Sequence, residues 1–165
     1  MSGKLVFALS LIVLAALSRL LPHPPNFTPV AAMALFAGAV IADRKLALVV
    51  PLLALLLSDL LIGFHNTMLY VYGSVALMTA LGFVLHKQRS AGRVLGYSIA
   101  SSVLFFMLTN LGVWLQGGYP MTASGLVSCY VAAIPFFHNT LIATVLYSGL
   151  LFGADYLWRR RLAYS

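Results

Sequence analysis

The sequence contains no glutamate, three aspartates and one cysteine among its 165 residues. With Asp43, Asp59 and Asp155 as its only acids, paired-carboxylate catalysis has few candidates. A lone Cys129 excludes an intrachain disulfide and a cysteine-rich zinc site. No Gly-rich phosphate loop, His-Glu-x-x-His or Gly-x-Ser-x-Gly elbow is present, so any energy source would have to be a partner or a gradient. Charged residues make up 8% of the chain against 62% hydrophobic ones, which is too little polar surface to clothe a water-soluble globule of this size. The chain is built for a lipid bilayer.

What charge there is has a net value of +7. The cations fall in short clusters between apolar runs, not on one solvated face, so they read as topology signals and no nucleic-acid partner is expected. A span needs about 20 apolar residues to cross about 30 Å of hydrocarbon. Measured between charged ends, six runs fit an all-α bundle: 5–21, 28–42, 46–63, 67–85, 94–116 and 138–158, forming a single domain over 1–165. The second is short enough to be tilted or capped by the loop before it. Lys4 followed by Leu5–Leu17 imitates a secretory signal, but Arg19 would directly follow a cut after Ser18, which favours retention as a helix.

Nine of the ten Lys and Arg residues share one side of this trace: Lys4, Arg44, Lys45, Lys87, Arg89, Arg93 and Arg159–Arg161. By the excess of cations in cytoplasmic loops, that side is the cytoplasm and both termini lie there. The outer connections, 23–27, 64–66 and 117–124, carry no Lys or Arg. The last apolar run is too long for one span. Counting back from Arg159 starts the spanning helix at His138, just after Pro135, and leaves 123–134 as an outer half-helix or interfacial segment over the bundle mouth. The alternative is one long, proline-kinked helix. Ala34, Gly38 and Ala42 form a small-residue stripe on the second helix, and Ser98, Ser102 and Thr109, with Phe105 between them, form a mildly polar one on the fifth; both read first as packing seams.

Arg19 and Asp59 are charges inside apolar runs. They lie fifteen and fourteen residues beyond Lys4 and Lys45, about 21 to 23 Å up at helical pitch, so they share a depth. Each alone would be costly in hydrocarbon; a mutual bridge locking helices one and three, and contact with a wet cavity, are both expected. His23, His65 and His138 project to the outer third, where imidazoles could bind a metal or a cofactor metal, yet none has the spacing of a zinc motif. Asn26, Asn66, Asn110, Gln116 and Asn139 stand nearby with Trp114, Tyr70, Tyr72, Tyr119 and Tyr130. Aromatic belts explain the rings but not the amides. Amides with aromatic walls suit a pocket for a polar, ring-bearing small molecule. Cys129 in its apolar segment reads as a small packed side chain, with nucleophile or soft ligand as the alternative.

Several motifs carry a family resemblance: Pro25-Asn26-Phe27-Thr28-Pro29-Val30, Ser58-Asp59-Leu60, Asn110-Leu111-Gly112-Val113-Trp114-Leu115, Tyr119-Pro120 and Ala133-Ile134-Pro135-Phe136-Phe137-His138-Asn139. They resemble an uncharacterised family of bacterial transport proteins, itself similar to the S components of energy-coupling factor vitamin transporters, nearest to the solitary cobalamin transporter type. The resemblance covers nearly the whole chain. It implies a six-helix subunit of the bacterial cytoplasmic (inner) membrane that binds a vitamin near the outer face, alone or with an energising module. It also implies a site His in the first outer loop and a site Asp near the end of the third helix, where His23 and Asp59 stand. The family's cobalt-binding cysteine does not carry over: the matching region reads Tyr70-Val71-Tyr72-Gly73. Nor do Ala8, Ala15 and Ala16 give the Ala-x-x-x-Ala spacing used for docking on such a module.

The expectation is thus a membrane transport or substrate-binding protein with no resident cofactor and no catalytic residue, a cobalt-containing compound being one candidate substrate. Its ligand residues would be His23, Asn26, Asp59, Tyr72, Asn110, Trp114, Tyr119, His138 and Asn139, with Arg19 and Asp59 as the structural ion pair. The competing readings are an intramembrane enzyme using Asp59 and the histidines on a lipid or cofactor, and an accessory membrane subunit.

Overall fold

A computed structural model describes residues 3–163, excepting the side chain of Lys4, so that cation's place in the trace lies outside the described residues. Among the described residues the chain forms six helices and no strand: α1 (Gly3–Ser18), α2 (Val30–Val40), α3 (Arg44–Ile62), α4 (Met68–Leu85), α5 (Ala91–Leu115) and α6 (Ala123–Ala163). Helices α3 to α6 are each long and apolar enough to cross a membrane, while α1 and α2 are shorter apolar helices. Leu53, Leu57 and Leu61 on α3 and Val127 and Val131 on α6 face outward, a surface that water penalises and hydrocarbon does not.

Local chemistry explains where the helices begin and end. Asp43 accepts a hydrogen bond from Leu46 N at 2.8 Å and Ser90 accepts one from Arg93 N, so the polar residues between apolar runs start α3 and α5. This start places α5 three residues before the expected Val94. Helix α1 ends at Ser18, not Leu21, because Pro22, Pro24 and Pro25 follow and disfavour helical backbone before them. Helix α2 begins after Pro29, a residue suited to helix starts, and stops before the extended Ile41 that leads to the Asp43 cap.

At eleven residues, α2 is about 16 Å long and covers only half a bilayer core. Its position permits this. Val30 to Ala39 are all buried, and the other five helices pack around them, so this stretch is screened from lipid. A Cβ on Gly38 would lie 2.0 Å from the Thr79 carbonyl oxygen, and one on Gly82 would lie 2.3 Å from that of Leu35. Helices α2 and α4 thus cross backbone to backbone through two glycines. Ala34 and Gly38 of the expected small-residue stripe sit in this core; Ala42 does not, because it lies in the α2–α3 connection and is exposed.

The separate outer half-helix over 123–134 is not found. Helix α6 runs unbroken through Pro135 for 41 residues. A proline removes one hydrogen bond, and here the flanking turns are held against α5: Tyr130 donates to the Met107 carbonyl at 2.7 Å, and Phe106 packs on both Tyr130 and Phe137. The alternative reading, one long helix, is the observed one.

The two ends of the bundle differ in chemistry. At one end Phe7 stacks on Trp158 at 4.6 Å, Arg44 lies 5.5 Å over the Phe83 ring, and Asp155 pairs with Arg89 at 3.1 Å and Arg159 at 2.8 Å. The expected basic side is therefore one physical end. At the other end Gln116 donates to the Asn66 carbonyl, Asn139 donates to that of Pro25, and Trp114 donates to that of Pro120. These bonds tie the connections together with neutral groups.

Candidate functional site

A cavity of about 290 Å³ opens toward the neutral end. Arg19 and Asn26 reach it from the α1–α2 connection, Thr67 and His65 from the start of α4, and Thr109 and Asn110 from α5. Phe105, Phe106, Phe136 and Phe137 supply aromatic wall, and Leu55, Val71 and Ala133 add aliphatic wall. The lining contains one guanidinium and no carboxylate.

Arg19 sits just beyond α1, where the chain turns through 3₁₀-like bonds from Arg19 N to Ala16 O and Leu20 N to Leu17 O. Its guanidinium pairs with Asp59 at 3.0 Å and donates to Ser58 on the same turn of α3. Asp59 is 1% exposed and accepts a second bond, at 2.9 Å, from the Tyr72 hydroxyl of α4. Three elements are thus tied through one carboxylate, and the expected bridge between the first and third helices is present. Arg19 Nε is buried with no protein partner. Such stranded donors are rare, and this one belongs to the residue that brings the guanidinium to the cavity.

The amides divide into two sets. Asn110 donates to the Phe106 carbonyl at 2.8 Å and lines the cavity; an amide has two donors and two acceptor lone pairs, so most of its capacity remains. Asn26 lines the same cavity with a φ of 62°, a left-handed conformation that asparagine tolerates better than most residues. Asn139, by contrast, does not line the cavity; it donates to the Pro25 carbonyl at 2.9 Å and fastens the Asn26 loop to α6.

Of the nine expected ligand residues, the structure brings Asn26 and Asn110 onto the cavity wall. Asp59 and Tyr72 stand behind it as support for Arg19. His23, Trp114, Tyr119, His138 and Asn139 are not on the wall: His23 Nδ1 lies 3.1 Å from its neighbour's carbonyl, Trp114 braces the α5–α6 turn, and His138 is exposed. Of the three outer imidazoles, His65 is the one that lines the cavity, with Nδ1 2.9 Å from the Thr67 hydroxyl. Cys129 is buried, with its thiol donating to the Asn110 carbonyl at 3.4 Å, as a packed side chain would be.

The sequence reading missed Thr28, Thr67, Thr140 and the four phenylalanines. Threonines in an apolar helix usually bond their own i−4 carbonyl, as Thr109 and Thr140 do here, so sequence gives them no distinct signal. Of the mildly polar stripe on α5, Ser98 and Ser102 are buried, whereas Phe105 and Thr109, its outer half, line the cavity. Among the described residues no three His, Cys or Asp side chains gather in a geometry that could hold a metal ion.

Fold and site together define a helical, membrane-suited chain with a polar and aromatic cavity at its neutral end. The chain belongs to DUF6580, a family of unknown function, whose profile matches residues 2–164. No curated protein and no solved structure shows a significant match.

Proposed function

We propose that this protein is a substrate-binding transport subunit of the bacterial cytoplasmic membrane that takes up a small, polar, ring-bearing molecule of vitamin type from the outer face. In this reading the six helices form an S-component-like bundle with both termini in the cytoplasm, an orientation that the cations gathered at one end support under the positive-inside rule. The observation that carries the proposal is the cavity at the neutral end. Phenylalanine faces suit a flat ring, while Asn26, Asn110, the threonines and Arg19 suit its hydrogen-bonding groups. Solute-binding pockets run from about 300 to 1,000 Å³, so a volume near 290 Å³ favours a single ring system over a corrin macrocycle. Binding, not catalysis, is favoured, because Asp59, the one acid near the site, is occupied by Arg19 and Tyr72.

Mass spectrometry of protein purified in mild detergent tests this. A co-purifying compound below the size of a corrin is expected, lost in Asn110→Leu and retained in His138→Ala. Recovery of no small molecule, together with no thermal shift from a panel of vitamins and no uptake defect in Asn110→Leu, would overturn it.

A further inference from the structure

A second hollow, of about 520 Å³, lies between α5 and α6 at the basic end, far from the first. Its mouth carries Arg89 and Arg159, and its walls are mostly apolar, including Val94, Leu95, Val145 and Phe152. Two features separate it from an ordinary packing gap. Gly149 and Gly153 stand on its α6 side with nothing within 4 Å of where a Cβ would be, so the trench is open along one helix. Ser148, 1% exposed, lines its deep part and has a hydroxyl without a partner.

The charges at this mouth do not balance. Arg89 and Arg159 share the single carboxylate of Asp155, leaving one positive charge in excess, and Arg159 Nε is buried without an acceptor. Through its bond to Asp155 the Arg159 guanidinium lies at that residue's level, and Ser148 is seven residues deeper, about 10.5 Å at helical rise. An anion at the arginines and an acceptor two turns further in describe a phosphate followed by an ester carbonyl. The hydrocarbon beyond would lie along the apolar walls.

We propose that this trench binds an anionic glycerophospholipid from the leaflet at the basic end, with its phosphate on Arg89 and Arg159, an ester carbonyl accepting from Ser148, and one acyl chain between α5 and α6. Basic pockets between membrane helices are suited to anionic headgroups. A second copy of the chain is disfavoured as occupant, because a side-by-side pair would bring two basic ends together.

The test uses the full chain in a neutral detergent, with thermal unfolding followed as phosphatidylglycerol or phosphatidylcholine is added. Phosphatidylglycerol should raise the unfolding temperature and phosphatidylcholine should not. Gly153→Leu fills the trench where a Cβ meets no atom and keeps every charge; without lipid it should unfold no lower than the unmodified protein, and it should lose the phosphatidylglycerol shift. Arg89→Gln/Arg159→Gln should bind phosphatidylglycerol about thirtyfold more weakly. Equal stabilisation by both lipids, an undiminished phosphatidylglycerol shift in Gly153→Leu, or a lipid-independent dimer that Gly153→Leu dissolves would each overturn the proposal. If Gly153→Leu fails to fold, Ser148→Val serves in its place, with a weakened shift expected and an unchanged one contrary.

Discussion

Replacing Asp59 with leucine removes a carboxylate that holds the turn after α1, helix α3 and helix α4 together. The Arg19 and Asp59 side chains are 13% and 2% exposed, so the pair lies in a medium where removing one partner strands the other. Breaking a buried pair costs about 3–5 kcal/mol. Here the cavity beside Arg19 offers water to the stranded guanidinium and Ser58 remains bonded to it, which favours the lower figure of about 3 kcal/mol. The Tyr72 hydroxyl loses its acceptor too, at about 1 kcal/mol. At about 2–4 °C per kcal/mol for a chain of this length, unfolding in mild detergent should fall by about 8–16 °C. The double variant Arg19→Met/Asp59→Leu removes both charges at once and should recover to within about 1 kcal/mol of the unmodified protein. It should nevertheless bind no substrate, because Arg19 is the one guanidinium on the cavity wall. An Asp59→Leu protein as stable as its parent, or a double variant as unstable as the single one, would refute the account of this pair as a lock.

Gly38→Ala should destabilise by about 1–3 kcal/mol in the same assay, since its Cβ meets the Thr79 carbonyl at 2.0 Å, whereas Gly96→Ala, which meets nothing, should be neutral or stabilising by up to about 1 kcal/mol. Burial first, and then the charge of Arg159, pull the Arg89 guanidinium below its ordinary value, with Asp155 opposing them. Asp155→Asn therefore leaves two cations facing each other, and its loss of stability should shrink when salt is raised from about 0.1 to 1 M, which denaturation at the two concentrations will read. In a Cys129→Ser background, a cysteine at the exposed Gln116 should react with an impermeant maleimide on intact cells, and one at the exposed Lys87 only after lysis. The reverse pattern would invert the proposed orientation.

How much of this was legible in sequence depended on whether the signal was local. Helix existence was, because apolar length and the Asp43 and Ser90 caps act on their own segments. The shared depth of Arg19 and Asp59 was legible too, since helical rise converts residue number to height, and the two are paired at 3.0 Å. Sidedness around each helix was not: height places His23, His65 and His138 in one layer, yet only His65 turns inward, and that is decided by how the connections are tied, through Asn139 to Pro25 and Gln116 to Asn66. The continuity of α6 failed for a related reason. A length rule treats the span as set by the bilayer alone, whereas Tyr130 and Phe137 give residues before Pro135 a partner in Phe106. That packing keeps the aromatic face of α6 turned toward α5, which is why Phe136, Phe137 and Thr140 can wall the same cavity as Phe105, Thr109 and Asn110. The unbroken helix therefore closes the side of the hollow with rings from beyond Pro135, whereas the expected half-helix over 123–134 was to lie across its mouth.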